Sequence, residues 1–280
     1  MVKTGGANGS QSVDRALALL NLVGRHADRG ISLASLVEVA GLNKATTRRL
    51  LLALMRAGFV EQDAGTKRYH LGEGAYVLGS LAARRFGLLE LSMDSLARIS
   101  RHTEDTSFLS VRRDTHALCL HREEGTFPIR THVLQAGDEH PLGCGAGALA
   151  ILAALPDTEI EAVIDVNTPL LRERYPMLTP ERLRAEVAAT RERGFSVNPG
   201  LIVANSWAVG MVIRFPDGRP AGALSVAAID SRMQEPRRAE IAACLKDEVK
   251  RIEDKLGKMF ASAGEPQEPE RSRRGRKTAA

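Results

Sequence analysis

The sequence predicts an α+β chain split into a small N-terminal domain and a larger C-terminal one. Three observations carry this. In the first 72 residues, apolar positions recur at helical spacing in three short segments, then switch to two-residue alternation around a turn. From residue 106 onward, short alternating runs return, interleaved with helical stretches. The length, 280 residues, is that of about two domains.

The elements follow in order. Residues 1–10 (MVKTGGANGS) read as a flexible lead. Ser12 is placed to cap a first helix whose stripe is Val13, Ala16, Leu17, Leu20 and Val23, ended by Asp28-Arg29-Gly30. Ser32 caps a second helix carrying Leu33, Leu36, Val37 and Ala40, which Gly41 stops. Asn43 caps a third, with Thr47, Leu50, Leu51 and Leu54 on its inner face. Helix, short turn, helix is the spacing of a helix-turn-helix. Residues 59–62 and 67–71 then form a hairpin around Asp63-Ala64-Gly65-Thr66, placed as a wing, and complete a domain over 11–72.

A linker helix is expected over 73–87, with Tyr76, Leu78, Leu81 and Ala82 apolar, followed by an amphipathic helix over 88–101 with Leu89, Met93, Leu96 and Ile99 or Ser100 inside. Antiparallel strands are expected at 108–112, 117–122 and 129–134, and a hairpin at 211–215 and 221–228 around Pro216-Asp217-Gly218-Arg219. Helices are expected at 145–155, 157–165, 180–193 and 235–260. The larger domain thus runs over 88–263 with one antiparallel sheet. The Pro-, Glu- and Arg-rich tail 264–280 is expected to be disordered and basic.

Composition narrows the function. Charged residues at 26% and hydrophobic ones at 44% are those of a globular chain. No apolar run is long enough to span a bilayer, and the first thirty residues lack a secretion signal, so a cytoplasmic location and no membrane partner are expected. Three cysteines without framework spacing fit a reducing compartment. Aromatic content of 4% argues against a stacking platform for single strands. The net charge of +5 is uneven: residues 1–70 hold ten Lys/Arg against five Asp/Glu, whereas 71–263 is slightly acidic. Such a basic module suits a polyanion.

The outward face of the third helix carries the sharpest signal. Lys44, Ala45, Thr46, Arg48 and Arg49 cluster in its first turns, where a helix seated in the major groove presents side chains to base edges. Arg and Lys reach guanine edges or phosphates, and Thr offers a hydroxyl and a methyl. Lys67 and Arg68 on the hairpin can touch the backbone beside that helix, with Tyr69 next to them. Ser32, at the start of the preceding helix, and Asn43, at the start of the third, join this candidate set.

The run SVDRALALLNLV, then SLASLVEVAGLNKATTRRLLLALMRAGFVEQDAGTKRYHLG, closely resembles the IclR family of bacterial transcriptional regulators over residues 12–72. Its pattern is Gly41-Leu42, Lys44, Thr46, Arg49-Leu50-Leu51, Leu54, Gly58-Phe59-Val60 and Tyr69-His70-Leu71-Gly72. Ala45 stands where the family usually has Ser, which removes a hydroxyl. The segments HPLGCGAGALAILAAL and RERGFSVNPGLIVANSWAVGMVIRFPDGRPAGALSVAA look like the family's C-terminal signatures, more loosely.

The resemblance implies a winged helix-turn-helix, a linker helix that contributes to dimerisation, and a GAF/profilin-like effector domain. The partners it implies are a double-stranded DNA operator, a small-molecule effector and a homodimer or homotetramer, with no cofactor and no enzymatic activity. Carried over by position, the pocket would use Gly145, Ala146, Asn198, Ser206, Ala208, Ser225 and Ala227. Asn198 stands where Asp is common, and Ala208 and Ala227 lack polar side chains. With Trp207 and Met211 nearby in sequence, this suggests a ligand larger and more apolar than a two- or three-carbon oxoacid.

Two rival chemistries are visible. His116, Cys119, His121, His132, His140 and Cys144 are dense enough for a metal sensor, but without paired zinc-ligand spacing. Cys144, near His140 and at a helix start, could be a nucleophile with a lowered pKa, but no orienting third group can be read.

Overall fold

Two side chains set up the N-terminal domain. In the computed structural model, which describes residues 8–27, 29–130 and 134–263, Ser32 Oγ accepts from Ser35 N (3.1 Å) and Asn43 Oδ1 accepts from Thr46 N (2.8 Å). These caps start α2 (Leu33–Ala40) and α3 (Lys44–Arg56), and Gly41 in the left-handed region closes α2. Together with α1 (Asn8–Gly24) they enclose a core of Leu19, Val23, Leu36, Leu50, Leu51 and Leu54. Thr47 is buried as the spacing predicts, its hydroxyl donating to Asn43 O (3.1 Å). Strands β1 (Val60–Gln62) and β2 (Tyr69–Leu71) pair antiparallel, and Ile31 bridges to Tyr69 on the other side of β2.

The first helix departs from expectation. It begins at Asn8, so Ser12 lies inside it rather than at its cap, and residues 8–10 are helical rather than part of a lead. The buried row is Leu19 and Val23, whereas Val13 and Leu17 are exposed. Val13 and Leu17, four residues apart, share a face of α1 turned away from the core that Leu19 and Val23 join. The rest of the lead and the tail 264–280 lie outside the described residues.

Helix α4 (Glu73–Phe86) touches β1 at its start and α5 (Leu88–Thr103) at its end. Three of its apolar positions are exposed: Tyr76 at 75%, Leu78 at 53% and Leu81 at 59%. Helix α5 turns Leu96, Ile99 and Ser100 inward as expected, with Leu89 partly buried against the same core; Leu88, Ser92 and Ser95 join them, and Met93 is exposed instead. Its serines can be buried because their hydroxyls are bonded: Ser92 Oγ donates to Leu88 O one turn back (2.6 Å), and Ser100 Oγ to Glu123 O at the end of β4 (2.9 Å).

The sheet of the larger domain contains β3 (Thr106–Arg113), β4 (His116–Glu123), β5 (Glu139–Pro141), β6 (Ser196–Pro199), β7 (Ser206–Arg214) and β8 (Pro220–Ile229). Their order is β5-β4-β3-β8-β7-β6, antiparallel throughout. The strand expected at 129–134 is absent: Ile129, Arg130 and Leu134 are irregular, and 131–133 lie outside the described residues. The three-residue β5 takes that place beside β4. Strand β6 and the first half of β7 were not expected, because Ser, Asn, Pro and Ala weaken their alternation.

Each face of the sheet has its own cover. Leu109, Val209, Ile213, Leu224 and Val226 meet Leu96 and Ile99 of α5 and Leu245 and Ile252 of α9 (Arg237–Ala263). The opposite face carries α6 (Ala146–Ala153), with α7 (Asp157–Arg174) and α8 (Pro180–Arg193) around it. Gly210 permits this layering: a Cβ there would stand 2.7 Å from the Ala146 carbonyl.

Candidate nucleic-acid interface and effector pocket

With Thr47, Leu50, Leu51 and Leu54 inward, α3 has no choice about its outer face. Lys44, Ala45, Arg48 and Arg49 are exposed there, with Thr46 half-buried beside them. The Asn43 cap consumes the Thr46 N–H and fixes where the helix begins, which aims its first turns.

The wing separates its candidates. Lys67 is exposed on the turn, at φ 59, and its carbonyl accepts from Gln62 Nε2 (2.9 Å). Asp63 tightens the same turn: its Oδ1 accepts from Thr66 N and Thr66 Oγ1, both at 2.6 Å. Bonding from the Thr66 side chain holds the Asp63 carboxyl below the usual range. Arg68 is exposed but partly committed, Nη1 donating to Gly30 O (2.9 Å). Tyr69 is 5% exposed in the three-helix core, so its ring is a packing residue and faces no partner outside. Ser32 spends its hydroxyl on the α2 cap. The expected set therefore resolves into an exposed group (Lys44, Ala45, Arg48, Arg49, Lys67, Arg68), Thr46 at its edge, and three residues (Ser32, Asn43, Tyr69) that build the scaffold.

The second site lies between the sheet and α6. All seven positions expected there, Gly145, Ala146, Asn198, Ser206, Ala208, Ser225 and Ala227, line one cavity of about 50 Å³. Strand alternation explains the grouping: Ser206 and Ala208 of β7, Ser225 and Ala227 of β8, and Phe108 and Ser110 of β3 share the inner face. The same alternation puts Trp207 and Met211 on the opposite face, against the α5–α9 core, so they play no part in the pocket.

Donors converge at the start of α6. Its first internal bond runs from Leu149 N to Gly145 O (2.9 Å), which leaves the N–H groups of Ala146, Gly147 and Ala148 without an acceptor one turn back. Ser225 Oγ and Ser110 Oγ lie 3.3 and 3.5 Å from where a Cβ on Gly147 would stand, so two hydroxyls overlook this helix end. Asn198 Oδ1 accepts from Leu201 N (3.0 Å), which leaves its NH₂ as the free donor. Among the described lining residues none is Lys, Arg, Asp or Glu. Ser110 and Phe108 were missed in the sequence, although two-residue alternation along β3 places both on one face.

The remaining wall carries titratable groups. His140 Nδ1 lies 3.1 Å from Tyr175 Oη and 3.7 Å from Cys144 Sγ. Burial holds His140 below its ordinary value and pushes the Cys144 thiol, the Cys119 thiol and the Tyr175 hydroxyl each up to about 12. Burial thus moves the Cys144 thiol in the direction opposite to that of an activated nucleophile. Among the described residues no three His, Cys, Asp or Glu side chains converge, and His121 instead faces Glu123 Oε2 at 3.1 Å. His132 lies outside the described residues.

Comparison with known proteins agrees with this division. Residues 12–64 match the model of the IclR helix-turn-helix domain, and residues 81–254, more than half the chain, match that of the bacterial transcriptional regulator IclR C-terminal domain. The HTH-type transcriptional regulator KipR of Bacillus subtilis is 28% identical over 250 residues, covering 89% of this chain and 98% of that protein. The acetate operon repressor of Salmonella typhimurium is 25% identical over 235 residues, covering 83% and 85%. The crystal structure of an IclR transcriptional regulator from Alicyclobacillus acidocaldarius aligns with TM-score 0.71 at 25% identity, covering 88% of this chain and 99% of that one. An IclR homolog from Microbacterium hydrocarbonoxydans, solved with 4-hydroxybenzoate, aligns with TM-score 0.70 at 23% identity, covering 88% and 97%. A capped, outward-facing α3 in one domain, a pocket between sheet and helix in the other and a family model over each place the chain in the IclR family of bacterial transcriptional regulators.

Proposed function

We propose that this chain binds a double-stranded operator through α3 and the wing, and that an organic acid in the α6 pocket sets its occupancy. The observation that carries the first half is the exposed Lys44–Arg48–Arg49 face on a helix whose other side is core. Lys67 and Arg68 would touch phosphates and hold the orientation. One short helix reads too few base pairs to be selective alone, so the operator is a pseudo-palindrome read by a homodimer or homotetramer. The exposed row Tyr76, Val77, Leu78 and Leu81 on α4 supports such an assembly. Acting on DNA in the cytoplasm, the chain needs no cofactor and performs no chemistry.

For the effector, the free N–H groups at the start of α6, with Ser110 and Ser225, suit one carboxylate. The absence of lysine or arginine from the described lining disfavours a second carboxylate, and the absence of an acidic side chain disfavours an ammonium. Phe108, Leu134, Ile202, Ala208 and Ala227 supply an apolar wall for the ligand's body. The volume of about 50 Å³ is that of a small acid, well below the ~150 Å³ that admits benzene. A larger aryl or acyl acid, the expectation from the lining, requires the wall at Leu134 and Ile202 to yield. Ligand binding then shifts the population between domain arrangements that match or mismatch the half-site spacing.

Calorimetry of the full chain against glyoxylate, pyruvate, benzoate, 4-hydroxybenzoate and a dicarboxylate tests the pocket. Gel retardation with duplexes selected from a random library, with and without the acid that binds, tests the link to DNA. Preference for the dicarboxylate defeats the single-carboxylate reading. Binding of only the two small acids defeats the larger-ligand expectation.

A further inference from the structure

The two domains meet at a point away from α4. Between β4 and β5 the chain makes a turn at 135–138 that is fastened to the pocket wall. Cys119 N donates to Asp138 O (2.9 Å) and Gly137 N to Cys119 O (2.8 Å), while Asp138 N donates to Gln135 O (3.1 Å). Asp138 Oδ2 closes the turn by accepting from Gln135 N (2.8 Å). Cys119 and Leu134, the residues at either attachment, both line the pocket. On its outer side the turn faces the DNA-binding domain. A Cβ built on Gly137 would stand 3.5 Å from Arg25 Cγ and 4.0 Å from Arg25 Cα, which is ordinary contact distance. Arg25 directly follows α1, its N–H still bonded to Asn21 O (3.0 Å). Helix α1 packs through Leu19 and Val23 on the core that seats Leu50, Leu51 and Leu54 of α3.

We propose that the Gly137–Arg25 contact is an intramolecular docking surface through which the pocket and the DNA-reading helix sense each other. Movement of Cys119 or Leu134 against a ligand carries the 135–138 turn with it, because two backbone bonds tie that turn to Cys119. The turn bears on the end of α1, and α1 shares its core with α3. Glycine at 137 lets the turn adopt φ +91, and the gap to Arg25 would still hold a methyl group. The inference rests on reading α3 as the DNA helix and the cavity as the effector site. It assigns Arg25 and Gly137 a positioning role in coupling and no contact with either ligand.

Coupling free energies are reciprocal, so DNA can serve as the probe while the effector is unidentified. The duplex is the one the wild-type chain selects from a random library. Hydrogen exchange of the full-length wild type is expected to change in peptide 134–141 when this duplex binds. Arg25→Ala should still bind the duplex but lose that change. An Arg25→Cys/Gly137→Cys pair in a Cys244→Ser background should form an internal disulfide, since a Cβ on Gly137 would stand 3.5 Å from Arg25 Cγ and 4.0 Å from Arg25 Cα. Its oxidised form should then differ from its reduced form by about fivefold or more in duplex affinity, the lower end of ordinary coupling. Two results would overturn the proposal: exchange at 134–141 unmoved by duplex in the wild type, or a crosslink that forms without altering affinity. The exchange measurement stands even where Cys at the left-handed position 137 prevents folding. A wild-type chain that selects no duplex removes the DNA-binding reading and this inference with it.

Discussion

Arg232 Nε donates to Asp105 Oδ1 at 2.9 Å, and the Asp105 side chain is 2% exposed. Arg237 donates to the other oxygen at 2.9 Å, both arginines also bond the Thr103 carbonyl, and the Arg232 guanidinium lies 3.8 Å from the centre of the Phe127 ring. This cluster ties the end of α5 and the start of β3 to the chain entering α9. Removing the carboxylate takes the shared ionic partner from two partly buried guanidinium groups, leaving them the Thr103 carbonyl and, for Arg232, Glu104 Oε2 at 3.6 Å. Asp105→Ala should therefore cost about 3–5 kcal/mol of unfolding free energy. Denaturant titration checks this, with Arg184→Ala as control. The Arg184–Glu161 pair is solvent-exposed, and its loss should leave the midpoint where it was.

The DNA face separates into residues that read sequence and residues that hold the backbone. Arg49→Ala should weaken binding of the selected duplex by about 1–3 kcal/mol and relax preference at one base position, with effector affinity unchanged. Lys67→Ala should weaken binding to every duplex alike and reduce the salt slope by about one. Retardation assays over a salt series, on matched and scrambled duplexes, separate the two. Equal loss of DNA and effector binding in Arg49→Ala would indicate a folding defect, and an unchanged slope would remove Lys67 from the contact set.

Much of this was legible in the sequence because local rules dominated. Ser32, Gly41 and Asn43 are short-range signals, and each performs the expected capping. The seven pocket positions, carried over by resemblance, line one cavity: alternation keeps the strand residues among them on one face, and the start of α6 lays Gly145 and Ala146 over that face. What was not legible depended on distant partners. Val13, Leu17 and the α4 row have helical periodicity, but periodicity does not say whether a partner lies within the chain. Tyr69 sits beside two exposed cations in sequence, yet its pairing with Ile31 turns the ring inward. Trp207 is next to two pocket residues and for that very reason faces away from them. Cys144 at a helix start suggested a lowered pKa, whereas burial, which spacing does not report, raised it.

Gly210 should be irreplaceable for the pocket. A side chain there would meet the Ala146 carbonyl at 2.7 Å and Ser196 Oγ at 2.8 Å, and Ser196 Oγ itself donates to Ala146 O (2.6 Å). Backbone on the far side cannot swing away as a flexible side chain can. Gly210→Ala should push the start of α6 off the sheet, cost about 1–3 kcal/mol and abolish effector binding. The winged domain shares no core with this site, so DNA binding should persist without its response to effector. Calorimetry with the acid that binds wild type, beside retardation of the same preparation, checks both halves.

His140 supplies a pH dependence that carboxylates do not share. Burial lowers its folded-state value, His116 acts in the same direction, and Asp138 opposes them. In the unfolded chain it titrates near 6.5. Above that pH the imidazole is neutral in both states, and its burial carries no ionic cost. As pH falls below about 6.5 the unfolded chain takes up a proton that the folded protein still resists, so stability drops until the folded-state value is passed. Unfolding free energy from urea titration should therefore decline between about pH 7.5 and 5.5. His140→Gln, which retains a donor and an acceptor near Tyr175, should flatten that part of the curve. A variant with the wild-type slope would assign the proton uptake to another group.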